Sequence, residues 1–175
     1  MAQDTPLADK GKVFIDQWLM GMHIRHIAHN KCFSRYKRLD RFVGLTATIL
    51  AALVSTTVIV SFTKSGSLSL QAIAASFSVL ATIFASANTF LKYGELAAKH
   101  ELTAASYGQL RRELELAESY EGALTKDFLE QLMNKWGELD KASPDIPQNV
   151  YRSAKKDAEE DEVSALAKKS DVPVK

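Results

Sequence analysis

Residues 42–63 read FVGLTATILAALVSTTVIVSFT, and residues 70–91 read LQAIAASFSVLATIFASANTFL. Neither stretch holds a charged side chain, and each is 22 residues long. A hydrocarbon core of about 30 Å takes roughly 20 helical residues at about 1.5 Å each. Both stretches fit that length. Between them lies Thr63-Lys64-Ser65-Gly66-Ser67, small, polar and suited to a tight connection between antiparallel helices. The pattern predicts a two-span helical hairpin, with spans at about 42–63 and 70–91.

Working outward, the contrast with the flanks is sharp. From Phe42 to Leu91 the only charged residue is Lys64, so 42 of the chain's 43 charged residues lie outside this half-hundred. The whole-chain figures (175 residues, 46% hydrophobic, 25% charged, net charge +1) describe an ordinary soluble domain only because they average two unlike regions. The competing reading is a soluble bundle with two fully buried helices. Such helices ordinarily carry a charge at an end or on an exposed edge. The N-terminus, MAQDTPLADKGK, has no apolar core and does not read as a cleaved leader.

Cations set the expected orientation. Arg25, Lys31, Arg35, Lys37, Arg38 and Arg41 precede the first span, and Lys92 and Lys99 follow the second. Against these eight the loop has Lys64 alone, which predicts both termini in the cytoplasm. The single cysteine, Cys32, excludes an internal disulfide and would lie on the reducing side. A net charge near zero argues against a nucleic-acid binder.

The spans are rich in hydroxyls and small residues. Ser78, Thr82, Ser86 and Thr89 recur at intervals of four, four and three, on one helical face. Gly44, Thr48, Ala51 and Ser55 make a similar stripe in the first span. Two readings stay open: close helix packing, which small residues permit, or a hydroxyl-lined water path between assembled hairpins. No ionisable residue interrupts either span, so a proton or ion relay has no support. Two helices cannot enclose a pore, so conduction requires a homo-oligomer.

The flanks read as helix. Pro6 to Arg41 forms an N-terminal arm, capped by Asp4 or Thr5 and continuing into the first span, partly at the membrane surface. Its basic end, FSRYKRLDR, suits anionic headgroups. His23, His26 and His29 form an H-x-x-H-x-x-H series. A metal site is one reading; a polar helix face near the membrane, with no Asp, Glu or second Cys nearby to complete four ligands, is the other. After the spans a helix runs from Lys92 to about Tyr120, with an apolar stripe of Leu91, Ala98, Leu102, Ala105, Leu110, Leu114 and Ala117. A break at Glu121-Gly122 leads to Thr125 as the cap of a second helix. Leu129, Leu132, Trp136 and Leu139 make that helix's buried face, and Ser143-Pro144 with Pro147 stops it. Residues 1–152 form one all-α domain with a cytoplasmic C-terminal helical hairpin. Residues 153–175, rich in Ala, Lys, Glu and Asp, read as a solvated or disordered tail, with docking as the alternative.

No catalytic signature is present: no nucleophile elbow, phosphate loop, dinucleotide fingerprint or paired-cysteine zinc motif. The expectation is a protein that is not an enzyme and holds no cofactor or metal.

The order of elements, with A-x-x-H (Ala97, His100), then Ala104, Ala105, Tyr107, Leu110, Arg112, Leu114 and Glu115, resembles the SLATT family. So does the later S-P-x-I-P-x-x-V-Y, here Ser143, Pro144, Ile146, Pro147, Val150 and Tyr151. These are two-transmembrane effector domains of bacterial conflict systems. The resemblance spans roughly Trp18 to Arg152. It implies a membrane-perturbing or pore-forming effector of antiviral or suicide responses. Its trigger would be a separate nucleotide-sensor or nucleotidyltransferase partner. A non-conducting membrane adaptor, binding partners through its cytoplasmic helices, is the alternative.

Overall fold

Five helices account for the chain's described residues, which in this computed structural model are 5–63, 68–120 and 124–170. They are α1 (Thr5–Thr63), α2 (Leu68–Leu91), α3 (Tyr93–Ser119), α4 (Lys126–Ala142) and α5 (Gln148–Ser170). No strand occurs among the described residues. The expected loop residues 64–67, the break at Glu121-Gly122 and the cap residue Asp4 lie outside them. Two compact units emerge: a hairpin unit, Ser34–Ala97, and a bundle unit, Met1–Phe33 with Ala98–Lys175.

In the hairpin unit, α1 continues without interruption from the basic segment into the first span, as its unbroken run of helix-compatible residues predicts. α2 has 24 residues, or about 36 Å of helix, enough for the hydrocarbon core. The less exposed positions recur at three- and four-residue intervals: Val43, Ala47, Leu50 and Val54 on α1, with Ala74, Phe77, Ala81 and Phe84 on α2. That spacing is the seam of two helices packed side by side. Among the described residues, large apolar side chains off this seam face outward, among them Leu45, Ile49, Ile73, Val79, Ile83 and Phe90. In the most apolar 18-residue stretch of each candidate span, 6% and 0% of residues are buried. Helices at the core of a soluble bundle would bury those side chains; apolar surface exposed this widely calls for a non-aqueous solvent.

α2 ends abruptly. Lys92 has φ 45°, the left-handed conformation that terminates a helix and that glycine usually supplies. α3 starts at the next residue, with Lys92 O accepting from Leu96 N at 3.0 Å. Gly94 follows, and a Cβ there would stand 3.2 Å from Asp40 Oδ1 of α1. The glycine lets the two helices approach at this point.

The bundle unit packs the N-terminal part of α1 with α3, α4 and α5. Its larger core joins Ile15, Met22, Leu110, Leu114 and Leu132, with Trp18, Leu129, Trp136 and Leu139 against it. α4 starts where expected, Thr125 accepting from Phe128 N at 3.2 Å. It ends at Ser143, before Pro144.

The bundle sharpens one expectation and changes two. One face of the α1 arm packs as bundle core: Ile15, Met22, Ile24, Ala28 and Cys32 are buried, while Val13 and Phe14 stay exposed. On α3 the buried stripe is Ala104, Tyr107, Leu110, Leu114 and Ala117 with His100 and Thr103, while Leu102 is 71% exposed. The apolar-only reading holds for Leu110, Leu114 and Ala117 but fails at Leu91, Ala98, Leu102 and Ala105, which are exposed, because His100 and Tyr107 are buried with polar partners. Finally, residues 153–170 are not an unstructured tail. They belong to α5, whose Ala154 and Ala158 are fully buried against Ile24 and Ala28. Alanine permits this close approach with little side-chain entropy to lose. Residues 171–175 lie outside the described residues.

Candidate functional site

The histidine series of α1 forms the polar spine of the bundle unit. Each histidine meets a different partner. His26 Nδ1 is 2.8 Å from Ala104 O. A carbonyl only accepts, so Nδ1 carries the proton, and Nε2 accepts from Asn30 Nδ2 at 3.0 Å. Gly108 makes room for this ring; a Cβ there would stand 3.1 Å from His26 Nδ1. His23 has the opposite tautomer. Its Nδ1 accepts from Arg111 Nη1 at 2.6 Å, which leaves the proton on Nε2, 3.4 Å from Asp161 Oδ2 of α5. Burial and the Arg111 charge hold the His23 pKa below its usual range, against the opposing pull of Asp161.

His29 is the deepest of the three. Its Nδ1 lies 2.8 Å from Nδ1 of His100, so one ring donates and the other accepts. Both rings are almost fully buried. Burial lowers both pKa values; His29, with His100 and Arg25 adding to the effect, falls to about 4. His29 also stacks on Tyr107, with centroids 5.5 Å apart and planes 13° apart. The Tyr107 hydroxyl donates to Asp140 on α4, with Ser143 Oγ 3.5 Å away. Burial first, then the Asp140 hydrogen bond, raises the phenol to about 12. Arg25 Nε pairs with the same Asp140 oxygen at 3.1 Å, and its guanidinium lies 5.2 Å from the Trp136 ring centre. α1, α3 and α4 are thus tied by Arg25, His29, His100, Tyr107 and Asp140. At neutral pH His29 is neutral and the Tyr107 phenol is protonated, which suits cohesion rather than proton transfer. Among the described residues no three of His, Cys, Asp and Glu converge as a metal site.

Two of the family-motif residues, His100 and Tyr107, therefore meet at one centre. Glu115 pairs with Arg111 at 2.7 Å on the surface, and Arg112 is exposed. Pro144 lies in the α4–α5 connection. Pro147 opens α5, its carbonyl accepting from Val150 N and Tyr151 N at 2.9 and 3.0 Å. Arg25, Asp140 and the pairing of His29 with His100 escape the linear reading. The available signal was a buried-type polar periodicity on α3, His100 and Tyr107 being seven residues apart on one face.

The hydroxyl stripes lie in the hairpin unit. Thr48, Ser55, Ser78, Thr82, Ser86 and Thr89 are all exposed and off the seam. Thr48, Ser55, Thr82 and Thr89 donate to the carbonyl four residues earlier, at 2.9 to 3.1 Å. Each such hydroxyl satisfies its proton locally and keeps its lone pairs outward.

An all-helical chain with two apolar, outward-facing spans defines a membrane protein with two transmembrane helices. Residues 21–169 match the model of the SMODS and SLOG-associating 2TM effector domain family 4, and the chain belongs to that family. The match runs past residue 152 and takes in nearly all of α5. No curated protein and no solved structure matches the chain.

Proposed function

We propose that this membrane effector acts as a homo-oligomer whose hairpins assemble into a conducting or membrane-perturbing path. The observation that carries the reading is the placement of Ser78, Thr82, Ser86 and Thr89. They occupy one face of α2, turned away from the α1 seam, while Ile73, Val79, Leu80, Ile83 and Phe90 are exposed apolar side chains on the same helix. A hydroxyl face that the hairpin's own packing does not use is suited to line water between several hairpins. The eight flanking cations favour cytoplasmic termini, with the bundle unit receiving the signal. The family description, which associates these domains with SMODS and SLOG proteins, supports a separate nucleotide-linked sensor as trigger in an antiviral or suicide response. Nothing in this reading requires catalysis, a cofactor or nucleic acid.

Induced expression with a potential-sensitive dye tests the proposal. Depolarisation together with growth arrest is expected once the trigger is present. Replacing Ser78, Thr82 and Ser86 by Leu should abolish depolarisation while the protein still inserts and assembles. Unchanged depolarisation in that variant would sink the hydroxyl path, and intact potential in the triggered wild type would favour an adaptor.

A further inference from the structure

The lipid-facing side of α1 extends beyond its apolar segment. Phe42, Leu45, Ile49 and Leu53 are exposed by 63, 63, 52 and 44%. They follow one another at intervals of three, four and four, on one face. Continuing the same face toward the N-terminus by four and then three residues gives Arg38 and Arg35, both exposed. The acid of this segment points elsewhere, Asp40 lying against Gly94 of α3. Tyr36 likewise turns to α3 and stacks on Tyr93 at 6.1 Å. Among the described residues, no ion pair involves Arg35 or Arg38.

Depth along the helix is informative. Arg38 lies about 21 Å from the middle of the first span at 1.5 Å per residue. In a bilayer of 40–45 Å including headgroups, that is the outer, headgroup level. A guanidinium presents a planar donor fork that fits phosphate oxygens in a bidentate manner. Arg38 stands at the headgroup level, and Arg35, one turn further out at about 26 Å, reaches it with its long side chain; both are in line with the exposed apolar stripe and off the α1–α3 contact.

We infer that Arg35 and Arg38 form a binding site for the headgroup phosphate of anionic phospholipids, seated on the lipid-facing stripe of α1. The inference rests on the two-span reading and is independent of conduction. Each cation near an anionic surface contributes about 1 kcal/mol, or roughly fivefold in occupancy.

The test uses the full chain in vesicles of equimolar phosphatidylglycerol and phosphatidylcholine. After mild detergent extraction, retained lipids are counted by native mass spectrometry. Wild type should retain phosphatidylglycerol at least fivefold over phosphatidylcholine, and Arg35→Gln/Arg38→Gln should return the ratio close to one. Lys126→Gln/Lys156→Gln, which removes the same charge from exposed bundle positions, should keep the enrichment. Equal enrichment in the arginine variant, or none in wild type, overturns the site. So does a variant that loses only oligomer mass with its lipid ratio unchanged, which would assign the arginines to a second copy's acidic surface. Release of the wild type from membranes by carbonate would instead refute the two-span reading.

Discussion

At the scale of single residues, the buried His29–His100 pair makes the bundle sensitive to acid. The two Nδ1 atoms share one hydrogen bond, so two imidazolium rings would bring two donors face to face. The unfolded chain has ordinary histidines near pKa 6.5, whereas folded His29 titrates at about 4. Between those values the unfolded state binds more protons, so stability rises with pH. It is complete above pH 6.5 and is lost as pH falls toward 4. From pH 7 to 5 His29 alone should cost about 2 kcal/mol, read as a drop in the thermal midpoint of the detergent-solubilised protein. His29→Gln should flatten that pH dependence while lowering the midpoint at pH 7. An unchanged slope in the variant would refute the assignment.

Tyr107 gives a second residue-scale expectation. Tyr107→Phe keeps the ring stacked on His29 and removes the hydrogen bond to Asp140. A hydrogen bond to a charged group contributes about 1.5–3 kcal/mol, so urea unfolding of the bundle should shift by about that amount. Lys92 should respond in the opposite sense. Its left-handed φ costs roughly 1–2 kcal/mol for a side chain with a Cβ, and Lys92→Gly should recover part of it as a raised thermal midpoint.

At the scale of elements, α5 is the informative helix. Its composition is that of a solvated segment, and the sequence reading leaves it as a tail. What holds it is a pair of alanines, Ala154 and Ala158, together with Lys31 reaching Asp157 Oδ2 and Ser153 Oγ, both at 2.6 Å. Small residues score poorly as hydrophobic anchors, yet they permit helices to touch. Ala158→Leu should overpack this contact at a cost of about 1–3 kcal/mol. Amide exchange should then rise across residues 148–165 and stay low in α4. Equal protection in the variant would mean that α5 does not depend on this contact. α4 behaves differently: the Thr125 cap, the Leu129–Leu132–Trp136–Leu139 face and the proline stop are all readable in one dimension, because each depends on neighbours within one or two turns.

At the scale of the whole molecule, the prediction concerns solvent. Among the described residues the spans expose large apolar side chains such as Leu45, Ile49, Ile73, Val79, Ile83 and Phe90, so the wild-type chain should resist carbonate extraction from membranes. Recovery in the soluble fraction would refute this.

What the sequence by itself determined was the all-α class, the two spans, the continuous first helix, the α4 boundaries and the family. These follow from charge distribution and helical period, which are local along the chain. Tertiary structure alone decided which polar residues are interior. His29, His100 and Tyr107 are buried, and the half-exposed Asp140 that partners Tyr107 lies 111 residues beyond His29; a buried polar group is stable only when its partner arrives from another helix. The same reason governs α5, whose alanines become a core only against Ile24 and Ala28. It also governs the hydroxyl stripe, whose exposed face became definite once the seam between α1 and α2 was known.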